Sequence, residues 1–347
     1  MRVVVVGATG NVGTSLLQAL AAEPRVNSIV GIARRPPAAA APKTEWVEAD
    51  IASTDLVPHF RGADAVVHLA WLIQPSHDVN ALWLTNVAGS GRVFRAIADA
   101  GVQTLVYASS VGAYSEGPKD RLVDESWPTG GIASSFYSRH KSEVELRLDR
   151  FERESPQVRV VRLRPALIFK REAGSHVRRI FAGRLFPSLL ARPSLVPLVP
   201  DIPGLRFQAL HTDDAAAAYR LAITSEAKGA FNLAGEPVLD PTELARLLGA
   251  RPVPLPARAA RGATALSWWL HLQPTPPGWL DLALRSPLLD WSRARRELGW
   301  MPTRSAGEAF LELLDGIRDG AGEQTPALAP EGHGFRRLTE RLRGTSR

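Results

Sequence analysis

Tyr137 and Lys141 stand four residues apart in a charged stretch with helical spacing. On a helix the two side chains share one face, one turn apart. A nearby ammonium favours phenolate, so the pair predicts a tyrosine that titrates below its ordinary value of about 10. Such a tyrosine can exchange a proton with a substrate hydroxyl or carbonyl. Ser110 directly follows Thr104 to Ser109, which reads as a strand. A hydroxyl there can hydrogen-bond the same oxygen and steady charge developing on it. Alone, each signal is weak: any amphipathic helix can carry Tyr-x-x-x-Lys, and a strand-end serine is often a turn residue.

A third feature supplies context. Gly7-Ala8-Thr9-Gly10-Asn11-Val12-Gly13 follows four valines and opens a helical stretch. Gly7 suits a tight turn, Gly10 lets a pyrophosphate approach the backbone, and Gly13 permits close helix–strand packing. The helix start then offers free N–H groups to phosphates. The second strand ends in Ala33-Arg34-Arg35, where an NAD site usually carries an acid. Arginine suits a 2′-phosphate through charge and bidentate geometry, so NADP is favoured over NAD. Asp50 is placed to hold the adenine amino group, or is a solvated loop carboxylate.

These residues need a frame that brings strand ends together. Strand patterns at Val3 to Val6, Ser28 to Ala33, Glu45 to Ala49, Ala65 to Ala70, Thr104 to Ser109 and Arg159 to Leu163 alternate with helical ones. The helical ones are Thr14 to Ala22, Ala81 to Ala100 and Phe136 to Arg150. Repeated βα units predict a Rossmann-type doubly wound parallel sheet, with ligands outside its carboxyl ends. After Pro165 the character changes, and the stretch from 236 to 305 is rich in Pro and Trp. The expected division is a dinucleotide domain of residues 1–165 and 206–235. A discontinuous, smaller C-terminal substrate domain takes 166–205 and 236–320, and a poorly ordered tail takes 321–347.

Together the motifs identify a family. The chain resembles the extended short-chain dehydrogenase/reductase family, also called the NAD-dependent epimerase/dehydratase family. Besides the glycine loop and Tyr137 to Lys141, the residues that carry the likeness are Asp50-Ile51, His68-Leu69-Ala70, Asn86, Ser109 to Tyr114, and Asp124-Glu125-Ser126. Arg164-Pro165, His211 to Ala215 and Arg295 to Trp300 complete them. The resemblance implies Ser110, Tyr137 and Lys141 as catalytic residues. It implies cofactor contacts from Gly7, Thr9, Gly10, Asn11, Val12, Gly13, Arg34, Arg35, Asp50, Ile51, Leu69, Ala70, Asn86, Tyr137, Lys141 and Pro165. It also implies a small-molecule substrate and a homodimer. Where nucleotide-sugar members usually place an arginine, four residues before the His211 position, this chain has Phe207. The Pro- and Trp-rich run Ser267 to Trp279 points instead to an apolar substrate, or to ordinary core packing.

Composition narrows the alternatives. The chain has 347 residues, no cysteine and a formal charge of +7. Without cysteine there is no disulfide framework or thiolate, which fits a cytoplasmic home. Of the 42 basic residues only five are lysine, and the arginines are scattered among acids. That pattern argues against nucleic-acid binding. No segment reads as a membrane span, since the apolar stretch Phe186 to Leu205 is broken by Arg192, Asp201 and prolines. No His spacing suits a metal, and no Gly-x-Ser-x-Gly elbow makes Ser110 a hydrolase nucleophile. The expected function is an NAD(P)-dependent oxidoreductase or epimerase. The alternatives are a nucleotide-sugar epimerase or dehydratase, and a nonenzymatic NAD(P)-binding regulator.

Overall fold

A computed structural model describes residues 1–73, 78–182 and 196–330. In chain order the strands are β1 (Arg2–Val6), β2 (Ser28–Ala33), β3 (Thr44–Glu48), β4 (Ala65–His68), β5 (Thr104–Ala108), β6 (Leu122–Val123) and β7 (Arg159–Pro165). They continue with β8 (Leu167–Phe169), β9 (Leu198–Asp201), β10 (Ala209–His211), β11 (Gly229–Leu233), β12 (Arg251–Pro254) and β13 (Leu288–Leu289). The helices are α1 (Asn11–Ala22), α2 (Val57–Phe60), α3 (Val79–Trp83), α4 (Ser90–Asp99), α5 (Phe136–Glu154) and α6 (Gly174–Val177). Then come α7 (Thr212–Thr224), α8 (Pro241–Leu248), α9 (Ala257–Trp269), α10 (Gly278–Arg285) and α11 (Ala306–Arg318).

Seven strands form one parallel sheet in the order β11-β7-β5-β4-β1-β2-β3. The fold is the α/β, Rossmann-like architecture expected. Side-chain alternation builds its two layers. Val3 and Val5 pack with α1 and α7 on one face, and Val4 and Val6 with α4 and α5 on the other. Both faces are covered, which is why these strands read as continuous apolar runs. The chain leaves β1 toward β2 on one side and reaches β4 on the other, so a crevice opens at the carboxyl end of β1. Three two-stranded parallel pairs, β8 with β10, β9 with β12, and β6 with β13, lie outside the main sheet.

The structure shifts several element ends, with α1 starting at Asn11, β4 stopping at His68 and β5 at Ala108, and it departs from the expected pattern in three further places. The single helix expected over Ala81 to Ala100 contains a π-helical stretch, Leu84–Gly89, whose wider turn carries the buried Asn86. Helix α5 runs past Arg150 to Glu154, with Ser135 capping its start. The tail expected from residue 321 is packed as far as Pro330. Leu328 is fully buried, Thr325 Oγ1 donates to Thr9 O at 2.9 Å, and Arg179 donates to Ala329 O at 2.7 Å. The rest of that expected tail, and most of the Phe186 to Leu205 stretch, lie outside the described residues. Among the described residues no helix is long and apolar enough to cross a membrane.

His68, at the end of β4, lies in the core, with Nε2 2.9 Å from Ser90 Oγ and Nδ1 unpartnered. Burial, aided by the charge of Lys141, pushes its pKa down to about 3. The unfolded chain therefore binds a proton that the folded chain refuses. The stability this gives is full above the unfolded pKa and falls as pH drops from there toward the folded value. Urea unfolding from about pH 7.5 to about pH 5.5 should cost the wild type about 1.4 kcal/mol more than His68→Gln; equal losses would refute the assignment.

Candidate active site

The glycine loop leaves β1 with Gly7 at φ 89°. A Cβ on Gly7 would sit 2.6 Å from Ala70 N, and one on Gly13 2.5 Å from Gly7 O. Both positions therefore exclude a side chain, the first because the Leu69-Ala70 loop after β4 presses on it. At Gly10 a Cβ would meet only Gly7 O, at 3.4 Å. The protein leaves that side open, as a ligand's close approach requires. Gly10 is the N-cap of α1, no side chain caps the helix, and its first turn has no acid. The loop thus fits the pyrophosphate of a dinucleotide through uncapped N–H groups at the switch point.

The side chain of Asn11 turns away from this cradle. Its Nδ2 donates to Ile168 O at 3.2 Å, and its Oδ1 accepts from Thr212 Oγ1 at 3.2 Å. Only its backbone faces the loop's task. At the other end of the crevice, Arg34 lines an open cleft with Glu48, Ala49, Asp50 and Thr54. Arg34 and Arg35 are exposed. Asp50 Oδ1 accepts from Ala52 N at 2.9 Å, and its neighbour Ile51 packs into the core. Asn86 binds the chain just beyond the crevice in both directions: Leu72 N donates to its Oδ1 at 2.7 Å, and its Nδ2 donates to Leu72 O at 2.9 Å. It thereby fixes the loop that carries Leu69 and Ala70. Pro165 is the buried last residue of β7.

Ser110, Tyr137 and Lys141 come together at the carboxyl end of β5. Ser110 starts a tight turn, Val111–Ala113, and its Oγ accepts from Gly112 N at 3.0 Å. A Cβ on Gly112 would fall 2.7 Å from Tyr137 Cε1, so glycine there lets the tyrosine ring close on the turn. Ser138 stitches the same contact, accepting from Ile132 N and donating to Gly112 O at 2.6 Å. Burial pushes Tyr137 up to about 12, with neighbouring Ser110 acting the other way. This corrects the expectation of a tyrosine lowered by Lys141. The lysine ammonium is turned elsewhere: it donates to Ala108 O at 2.7 Å and lies 3.6 Å from the centre of the Trp71 ring. Burial lowers Lys141 to about 7, while Glu145 works the other way.

Glu145 was not singled out from the sequence, although Tyr137, Lys141 and Glu145 follow one another at helical spacing. It is buried, and accepts from Arg164 through both oxygens at 2.9 and 3.0 Å, from Arg162 at 2.9 Å and from Ser109 Oγ at 2.5 Å. Burial opposes its charge, but Arg164, Arg162 and Ser109 outweigh that and hold it at about 2. The helix that carries Tyr137 is thus clamped to β5 and β7. The wall above Tyr137 is aromatic. Trp279 lies 5.0 Å from it, Trp71 5.9 Å, and Phe181 5.0 Å from Trp279, ring centre to ring centre. The indole N–H groups of Trp71 and Trp279 are buried without partners.

Other motif residues serve the frame. His140 packs on Trp83 and Phe136, off the Tyr137 face. His211 meets Glu312 at 3.0 Å, and Asp214 accepts from Thr303 and Arg304 in the loop after Trp300. Phe207 pairs its backbone with Leu239. Trp291 and Trp300 belong to the core layer against α7. Among the described residues no group of acids and histidines could hold a metal ion.

Residues 3–234 match the model of the NAD dependent epimerase/dehydratase family. An uncharacterized protein of Mycobacterium tuberculosis is 26% identical over 324 residues, 90% of this chain and 83% of that protein. The decarboxylating sterol-4-alpha-carboxylate 3-dehydrogenase of Saccharomyces cerevisiae is 33% identical over 109 residues, 31% of this chain and 30% of that protein. The UDP-glucuronic acid 4-epimerase of Bacillus cereus, solved with UDP-glucuronic acid and NAD, has the same fold. Its TM-score is 0.68 at 18% identity, over 92% of this chain and 99% of that one.

Removing the charge of Glu145 would leave Arg164 buried and unpaired. Glu145→Gln should lower stability by about 3–5 kcal/mol, read by chemical denaturation. An unchanged unfolding midpoint would show that the cluster does not support the helix.

Proposed function

Because the chain belongs to the NAD dependent epimerase/dehydratase family, we propose that it catalyses hydride transfer between NAD(P) and a substrate carbon bearing a secondary alcohol or ketone. The observation that carries this reading is the Tyr137 ring closed on the turn that Ser110 starts, where a Gly112 Cβ would fall 2.7 Å from it, beside an uncapped glycine loop. The backbone of Thr9 to Gly13, with Leu69 and Ala70, would hold the pyrophosphate. Arg34, Arg35, Asp50 and Ile51 would meet the adenosine end, and Asn86, Tyr137, Lys141 and Pro165 the remainder. The bound nicotinamide would supply the hydride carrier. Tyr137 holds its proton, since burial favours the neutral phenol. That form donates to a carbonyl oxygen, and Ser110 orients and polarises the same oxygen. Lys141, whose ammonium is held by Ala108 O beside Trp71, would donate to the nicotinamide ribose.

The walls favour an apolar substrate body. Trp71, Trp279 and Phe181 group their rings beside Tyr137, and the indole N–H groups of Trp71 and Trp279 lack protein partners that an acceptor oxygen on such a molecule would supply. A nucleotide sugar is less well served, because Phe207 stands where the expected arginine would be and Arg206 donates to Lys119 O. NADP preference rests on Arg34 and Arg35, whose guanidinium groups are exposed at the end of β2. Similar solved structures hold NAD, so the case for NADP rests on these two residues alone.

Tyr137→Phe should lower kcat by about 10²–10⁴ while leaving cofactor affinity near the wild-type value. Turnover that survives the substitution would overturn the mechanism. Arg34→Ala with Arg35→Ala should weaken NADP binding by about tenfold or more, with little effect on NAD. Fluorescence titration reads both; tighter binding of NAD by the wild type would overturn the preference.

A further inference from the structure

The C-terminal end of α9 carries a feature that the catalytic site does not use. Leu266, Trp269 and Leu270 stand at i, i+3 and i+4, on one helical stripe. They are 57%, 69% and 48% exposed, and Leu272 just beyond the helix is 65% exposed. The chain turns there through His271, at φ 57°, with Leu272 N bonded to Ser267 O at 2.9 Å. The turn keeps Leu272 beside the stripe. Ala259, Gly262 and Ala263 extend the same exposed face toward the helix start. Large apolar side chains grouped in this way mark an interaction surface, unlike the scattered Leu84 or Leu146.

The charge along this stretch of chain is one-sided, although exposed Asp201 of β9 pairs with Pro254 just before α9. From Leu244 to Leu280 the chain has no Asp or Glu, but it has Arg246, Arg251, Arg258 and Arg261. Arg246 pairs with Glu243 and Arg261 with Asp281. Arg251 and Arg258 are exposed, and Arg258 lies three turns before Trp269 on the same stripe. A second copy docked through the same face would offer the same stripe and arginines, and α9 itself carries no acid to pair with Arg258. An anionic lipid surface meets both halves of the pattern, apolar stripe and arginines, and Trp suits the headgroup level.

We propose that this α9 face docks on an anionic membrane surface, lying in the interface and not crossing it. The docked element adjoins the candidate active site. Gln273 binds Thr264 O and Thr275 O, Thr275 Oγ1 donates to Phe181 O at 2.9 Å, and Trp279 follows on α10. The face thus stands one short loop from the aromatic wall, where an apolar molecule could pass from lipid to pocket. Docking itself requires no particular substrate and is tested without one.

Full-length protein should co-sediment with vesicles of phosphatidylcholine and phosphatidylglycerol, more weakly with phosphatidylcholine alone, and less as salt rises. The Leu266→Ser, Trp269→Ser, Leu270→Ser variant should partition about tenfold less. Arg251→Glu with Arg258→Glu should also weaken binding and flatten its salt dependence. Unchanged NADP titration and unfolding midpoint show that each variant is folded. Absence of wild-type binding overturns the proposal, as does wild-type binding by either variant. So does a wild-type dimer that the triple substitution turns into a monomer without loss of vesicle binding, since the face would then be an interface between copies.

Discussion

One buried carboxylate organises the surroundings of Ser110, Tyr137 and Lys141. Glu145 sits between helix α5 and the strands β5 and β7, taking hydrogen bonds from Arg162, Arg164 and Ser109. An ion pair removed from water is stable only when its geometry and remaining hydrogen bonds are complete. Here they are. Arg162 also reaches Asp149 and Glu152, and Arg164 reaches Tyr114 and the Glu125 carbonyl. The cluster therefore fixes how far α5 stands from the end of β5. Ser110 follows Ser109 directly, while Tyr137 and Lys141 lie two turns and one turn before Glu145. Their separation is set from behind, by groups buried in the frame.

Close packing sets the other face of the same crevice. Gly7 meets the Leu69-Ala70 loop, Gly13 meets the loop backbone, and Gly112 meets the Tyr137 ring. At each point a methyl group would push two elements apart. The glycine loop, the β4 loop held by Asn86 and the Ser110 turn consequently share one narrow opening at the sheet's carboxyl edge. Above it, Trp71 and Trp279 close on Tyr137. Lys141 is then left among rings and one carbonyl, and burial draws its pKa down.

Much of this was legible in order and type. Strand β2 falls on Ser28–Ala33 as read, because β-branched residues between turn residues permit little else. The glycine loop, the Ser110 strand end and the Tyr137 helix were each visible in place. The π-helical turn at Leu84–Gly89 was not, since its residues fit the ordinary helical period and only the clamp on Leu72 marks it. Residues 321–330 read as a tail because they are rich in small and polar residues. Their order comes from partners more than a hundred positions away, at Thr9 and Arg179. The aromatic wall is half visible: Trp279 closes the Pro- and Trp-rich run from Ser267, but nothing local joins Trp71 to it.

What the sequence determined by itself was the set of local preferences: alternating strands and helices, a glycine turn before a helix, and Tyr and Lys on one helical face. Those follow from backbone sterics and side-chain spacing, which act over a few residues. Only the tertiary structure decided the state of the groups so placed. Proximity of Lys141 in the chain predicted a lowered tyrosine, yet burial raises Tyr137 and the ammonium points to Ala108 and Trp71. Ionisation depends on solvent and on charges gathered from distant segments, and those are fixed only when the segments pack.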